Sequence, residues 1–412
     1  MPELAKLERR KTMGRNNQLF WYATSNSLWT LAFSVQTLMV TWVLVGILHE
    51  SPERVGLAQL MIGVPGLLVI LWGGVIGDKV DGRQLLLLTQ LLCIVPALLL
   101  AAVSHAGHLG YWVLVSTALI ASLLNAVSSP VRNTILNHLA TDRLQQAIAL
   151  TTAIAFIATI IGTRIGGEIQ NLGLETVLYV QAIVLATSSL VTLKLQAAPP
   201  AVTQDEPGRN ALGEIADGFR HIWSFPLARD VIVLNTLSSF FNAGAWMVAV
   251  PFIVTRVYAG DAIFLANLTI VFTMGSIASN FLMMKFMPLL HPGRLWLIMQ
   301  LTRILILLAI WIKPDAWVFF LAAAFWGANM GVTMTTSRTM IQELPSARYR
   351  SRVMSVFTVG MMSASPIGSL LLGLVIGFWG PLSGLVPGIL ASVGIFVWGY
   401  TSQHIWQYES GK

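Results

Sequence analysis

Residues 66–104 read GLLVILWGGVIGDKVDGRQLLLLTQLLCIVPALLLAAVS. Two apolar runs, 55–76 and 85–104, are joined by a short turn holding Asp78, Lys79, Asp81 and Arg83. A helix needs about 20 mainly apolar residues to cross the hydrocarbon core of a bilayer, and each run supplies that length. The stretch therefore predicts a pair of spanning helices with a charged turn between them.

The same pattern continues in both directions. Spans are predicted at 20–48, 55–76, 85–104, 110–136, 147–169, 176–195, 231–258, 264–287, 295–312, 317–341, 353–378 and 382–404. Pro65, Pro96, Pro251, Pro366 and Pro387 fall inside spans, which counts against soluble helices but is tolerated in membrane helices. Of 412 residues, 55% are hydrophobic and 10% charged, and mean hydropathy is +0.72. A soluble domain carries about 25% charged residues. The expected fold class is thus all-α integral membrane, with twelve transmembrane helices. The first apolar run, ending near residue 48, exceeds the roughly 7–15-residue core of a signal peptide, so it is read as a retained span. The lone cysteine, Cys93, forms no intramolecular disulfide.

Basic residues set the orientation. With a cytoplasmic N-terminus, twenty of the 25 Lys and Arg lie in cytoplasmic segments or helix ends. Three, Arg54, Arg256 and Lys313, lie outside, and Arg164 and Arg303 lie within spans. Positive residues collect on the cytoplasmic side, so both termini are expected there. The net charge of +7 then reflects cytoplasmic loops, and no nucleic-acid partner is expected.

The chain also repeats itself. Arg132-Asn-Thr-Ile-Leu-Asn-His-Leu closes helix 4 and Arg338-Thr-Met-Ile-Gln-Glu-Leu-Pro closes helix 10. Gly82-Arg83 precedes helix 3 as Gly293-Arg294 precedes helix 9, and Asn26 matches Asn235, all at offsets of 206 to 211 positions. The predicted organisation is a six-helix bundle over 1–195, a polar linker over 196–229 and a second bundle over 230–412. Duplicated halves of this kind bracket a midplane binding site that opens alternately to either side.

The turn Gly74-Val-Ile-Gly-Asp78-Lys79-Val-Asp81-Gly-Arg83 resembles the signature between helices 2 and 3 of the major facilitator superfamily. Gly82 stands where many members carry Arg. Ser-Pro-Val-Arg132, Asp142-Arg143-Leu-Gln-Gln-Ala-Ile-Ala-Leu150 and Ile161-Gly-Thr-Arg-Ile-Gly-Gly167 are similar to the branch of enterobactin exporters, macrolide efflux pumps and transmembrane secretion effectors. The resemblance implies a secondary transporter of the bacterial inner membrane, acting as a monomer without a cofactor. It further implies export of an amphipathic small molecule by alternating access, often driven by protons. Gating then falls to Asp78, Lys79, Asp81, Arg83, Arg132 and Arg338. Efflux relatives often carry Gly-Pro-x-x-Gly-Gly in helix 5; Thr163 replaces the Pro here, while helix 11 keeps Pro366 and Gly368.

Charges within spans are costly and normally face protein or a water-filled cavity. Arg164 and Glu168 share a helical face; they couple protons, bind an anionic group, or form a structural ion pair. Arg303 lies on helix 9, peripheral in this fold; it is expected to snorkel or pair with a backbone carbonyl, with direct substrate contact as the alternative. No Asp or Glu falls near the centre of a span. Candidate substrate-binding residues are Asn26, Gln36, Asn125, Arg164, Asn242, Trp246, Trp326 and Asn329. Asn and Gln there serve a ligand or an interhelical hydrogen bond; Trp serves a planar ligand or lipid. Two competing functions stay open: uptake of a small polar or anionic metabolite, and a non-transporting sensor. No phosphate-binding Gly-Lys loop, His-Glu-x-x-His pair or clustered metal-ligand set occurs, so neither an enzyme nor a metal site is expected.

Overall fold

The computed structural model describes residues 2–77, 81–139, 144–197, 223, 225–343 and 350–410, and the side chains of 17–69, 81–139, 146–197, 223, 225–343 and 353–410. Asp78, Lys79 and most of the linker lie outside the described residues.

Among the described residues, twelve long helices follow one another. They are α1 (Pro2–Trp42), α2 (Pro52–Gly77), α3 (Gly82–His105), α4 (Tyr111–Leu139), α5 (Leu144–Gly167) and α6 (Leu174–Thr192). Then come α7 (Pro226–Gly244, continued by a π-helical turn into Val250–Arg256), α8 (Ala262–Met284), α9 (Pro292–Trp311), α10 (Ala316–Glu343), α11 (Arg350–Trp379) and α12 (Val386–Thr401, after a 3₁₀ turn). Eleven contain a window long and apolar enough to span a membrane, and α2, the twelfth, has 26 residues. Apart from those of α1, every boundary falls within five residues of its predicted place.

Two departures have local causes. α1 starts at Pro2 rather than near residue 20, because the intervening Glu, Leu, Lys and Arg are strong helix formers. α5 stops at Gly167, and Glu168 instead precedes a single turn, Ile169–Leu172. Gly166 and Gly167 are poor helix formers, which weakens the helix at that end.

A helix solvated by lipid gains nothing from burying Leu against Leu, so small and polar residues choose the packing face. α3 shows this directly. Leu88, Leu91, Leu92, Val95, Leu98 and Leu99 are exposed. The opposite face buries Thr89, Gln90, Cys93 and Ala97.

Contacts divide the chain into two compact units, 1–40 with 65–205 and 41–64 with 206–412. The division differs from the sequence boundaries, because 41–64 groups with the second unit. There Gly56 of α2 lies so close to α11 that a Cβ would come 2.6 Å from the Ser369 carbonyl oxygen.

Within each unit the packing repeats. A Cβ on Gly162 of α5 would overlap the Leu31 carbonyl of α1, and one on Gly368 of α11 would overlap the Phe240 carbonyl of α7. Arg83 donates from Nη2 to the Leu193 carbonyl just past α6 (2.6 Å), and Arg294 donates from Nε to the Trp406 carbonyl beyond α12 (3.0 Å). Both α1 and the main part of α7 run on into a π-helical turn, Val43–Ile47 and Ala245–Ala249, and both turns fall in the second unit.

Candidate substrate-binding site

In the second unit, α7 places Asn235, Ser238, Asn242 and Trp246 on one face through spacings of three and four. α10 does the same with Trp326, Asn329, Thr333 and Ser337. Trp326 donates its indole N–H to Asn242 Oδ1 (3.0 Å), and Asn242 donates to the Ser238 carbonyl (3.0 Å). The amide orientation is thereby fixed. Trp246 stacks on Phe272 of α8, with centroids 3.9 Å apart, and meets Trp326 edge-on at 5.3 Å. Trp326 is buried, whereas Trp246, Phe272 and Asn242 are half-buried. An aromatic plate with a pinned amide beside it suits a planar or amphipathic ligand.

Arg303 of α9 is hydrogen-bonded to these same faces of α7 and α10, at Ser238 and Asn329. Its position corrects the expectation of snorkelling or a backbone partner, because Arg303 is 3% exposed and bonded to side chains. Its Nη1 donates to Ser238 Oγ and to Gln300 Oε1 (3.1 Å); Nε and Nη2 both donate to Asn329 Oδ1 (3.2 and 2.8 Å). Asn329 in turn donates to the Met299 carbonyl and to Thr302 Oγ1 (2.8 Å). The buried Asn329 side chain is therefore occupied in holding Arg303. The signal for Arg303 was its charge within a span. Phe272 had no comparable signal.

The first unit builds a related cluster. Trp29 Nε1 and Arg132 Nη2 both donate to Asn125 Oδ1 (3.1 and 2.8 Å), and the Arg132 guanidinium lies 4.9 Å from the Trp29 ring centroid. The Tyr22 hydroxyl donates to the Arg132 carbonyl (2.9 Å). Asn26 is half-buried and its side chain makes no hydrogen bond with the described residues. Gln36 accepts from Gln181 Nε2 (3.2 Å) and lines a water-sized cavity with Cys93 and Thr117. Beside these residues lies a wholly neutral buried network. Gln90 donates to Ser25 Oγ (3.1 Å), Thr192 donates to Gln90 Oε1 (3.0 Å), and Ser25 and Thr192 hydroxyls are 2.6 Å apart.

The remaining candidates sit apart from these clusters. Arg164 and Glu168 form an ion pair at 2.5 Å, and Glu168 also accepts from Asn171 (2.7 Å). Asp81 Oδ1 accepts from the Arg83 backbone N–H (2.9 Å), capping α3, while the Arg83 side chain reaches the Leu193 carbonyl. Arg338 is exposed on α10. Among the described acids, Asp230 is fully buried near the start of α7, between Arg229 (3.1 Å) and His404 Nδ1 (2.8 Å). Beyond the ends of α7 and α9, the Tyr258 hydroxyl donates to the Pro314 carbonyl (2.5 Å). Burial and then the nearby Asp315 carboxylate hold its pKa above the usual phenol value.

A family model described as transmembrane secretion effector matches residues 15–397. The chain is 22% identical over 360 residues to the Staphyloferrin A transporter of Staphylococcus aureus, covering 86% of this chain and 88% of that one. Among solved structures, the nucleoside transporter NupG superposes with a TM-score of 0.71 at 13% identity, over 96% of this chain and 99% of that chain. A bacterial homolog of the human lysosomal transporter Spinster gives 0.70 at 16%, over 95% and 96%. The inward-open xylose transporter XylE from E. coli gives 0.69 at 12%, over 96% and 98%. At these identities the structures establish the fold alone.

Proposed function

We propose that this chain, which belongs to the transmembrane secretion effector family of major facilitator transporters, exports an amphipathic small molecule such as a drug, a siderophore or a lipid-like compound. It does so as a monomer in the bacterial inner membrane with both termini cytoplasmic, by alternating access. The observation that carries the reading is the half-buried plate of Trp246 and Phe272 beside the pinned Asn242. It offers stacking area and one oriented amide, which suits a ligand with a flat apolar body and few polar groups. The family description favours outward movement, and the Staphyloferrin A transporter supports a siderophore among the substrate classes.

Protons are the proposed coupling ion. The Arg164–Glu168 pair (2.5 Å) is the candidate carrier, since protonation of Glu168 would release Arg164. The test is dye flux in inverted membrane vesicles, with and without a pH gradient, for wild type, Arg164→Ala and Glu168→Gln. Gradient-driven uptake that both variants lose is the expected result. Flux indifferent to gradient and variants would remove the coupling role, and no flux in any condition would overturn export.

A further inference from the structure

We infer that the second unit takes an organic anion, of which a planar carboxylate is the simplest form, and that Arg303 is the buried charge that favours it. The inference rests on the transport reading and narrows its substrate class.

Every partner of Arg303 is neutral: Ser238, Gln300 and Asn329 supply four hydrogen bonds. Among the described residues no carboxylate pairs with it, and the described acids sit at helix ends or in turns. Arginine stays protonated in proteins. A buried charge is costly unless paired, and neutral oxygens offset only part of that cost. The unit therefore holds an uncompensated positive charge midway along α9.

Its place ties the charge to the plate. The Ser238 hydroxyl accepts from Arg303, while the Ser238 carbonyl accepts from Asn242 (3.0 Å). Asn329 lies one turn of α10 beyond Trp326, which holds the other end of Asn242 (3.0 Å). Arg303 is thus one residue removed from the surface that Asn242, Trp246 and Phe272 present. At 3% exposure it does not touch a ligand there. It is a positioning residue whose field acts through protein, where a charge is screened far less than in water. An anionic group arriving beside Asn242 meets that field; a cation is repelled. In the first unit, Arg132 stands against Trp29 and Asn125, again without a carboxylate partner among the described residues.

The test isolates charge from shape. Equilibrium dialysis of the purified full-length protein compares labelled naphthoate with naphthamide, which share a ring system and differ in charge near neutral pH. Naphthoate should bind about tenfold tighter, equivalent to about 1.4 kcal/mol. Gln300→Glu places a carboxylate where the oxygen already accepts from Arg303 at 3.1 Å, and should erase the preference without lowering the thermal midpoint. Arg303→Met should erase it as well. A role confined to packing would leave the preference intact in Gln300→Glu. Equal binding, tighter amide binding, no binding of either probe, or a preference that survives Gln300→Glu would overturn the inference. Dye flux in vesicles without anion preference would sink this inference alone. Absent flux beside a clear anion preference would sink only the transport reading.

Discussion

The two units solve one packing problem in the same way and one polar problem differently. Gln90 of α3 and Gln300 of α9 are both fully buried, 210 positions apart. Gln90 closes a neutral ring with Ser25 and Thr192, whereas Gln300 accepts from a guanidinium. The aromatic–amide pairs are also reversed. In the first unit the Trp is on α1 and the Asn on α4; in the second the Asn is on α7 and the Trp on α10. Backbone crossings and helix-end contacts repeat, because they fix how the helices approach. The interior polar groups differ: a neutral ring in one unit, a guanidinium held by neutral oxygens in the other. The halves should therefore respond alike to changes at crossings and unlike at polar positions.

The largest effect is expected at the crossings. A side chain at Gly162 or Gly368 would collide with a backbone carbonyl of the facing helix, and backbone cannot yield as a flexible side chain does. Overpacking costs about 1–3 kcal/mol and occasionally more. Gly162→Val and Gly368→Val should each remove most of the monodisperse protein recovered in detergent and lower its thermal midpoint. Gly368→Val should be worse, since its three nearest atoms all belong to the Phe240 backbone, while Gly162 also meets the Ser34 side chain. Tolerance in one unit alone would break the equivalence of the crossings.

How much of this was legible from sequence follows the same division. Span positions came from apolar runs alone, since a bilayer demands length and hydrophobicity whatever the neighbours. The repeat was visible in Gly82-Arg83 and Gly293-Arg294, although their contacts with the Leu193 and Trp406 carbonyls were not. The side-chain pairings were hidden because hydrogen-bond partners on different helices are set by rotation and crossing. Asn329 and Asn242 looked alike as polar residues in spans; one is consumed by Arg303 and the other faces the aromatic plate. Arg303 was visible as a charge, but its helix was read as peripheral. The grouping of 41–64 with the second unit arises from the approach of α2 to α11, for which no sequence pattern was read.

A middle-sized effect separates the two aromatic–amide pairs. In Trp29→Phe, Asn125 Oδ1 still accepts from Arg132 (2.8 Å). In Trp326→Phe, Asn242 Oδ1 loses the one donor that reaches it from α10. Side-chain hydrogen bonds within membrane bundles average about 0.6 kcal/mol and reach about 1.7. Trp326→Phe should therefore lower thermal stability by more than Trp29→Phe, and the Asn242→Ala background should remove most of that excess. Equal shifts in the two single variants would show that ring packing, not the amide bond, sets the cost.

The smallest effect lies where the chain leaves each bundle. In the first unit no phenol takes part: Gln196 N–H donates to Gln18 Oε1 (2.8 Å), and the Lys194 ammonium lies 4.1 Å from the Trp21 ring centroid. In the second, the Tyr408 hydroxyl donates to Glu343 Oε2 (2.7 Å), which Ser410 also reaches (2.8 Å). Burial first, then the hydrogen bond and charge of Glu343, raise the Tyr408 pKa above the ordinary phenol range. A group whose pKa is raised on folding contributes its stability below the unfolded value, about 10 for tyrosine. That contribution is lost as pH rises through the higher folded value. With Glu343 exposed, the bond is worth only about 0.5 kcal/mol. Tyr408→Phe should therefore lower the thermal midpoint slightly and by a constant amount from neutral pH up to about 10, with the gap closing only above it. A gap that closes on acidification instead would assign the contact to Glu343 titration and not to the phenol. A matching alkaline dependence after Gln18→Ala would erase the contrast between the two bundle ends.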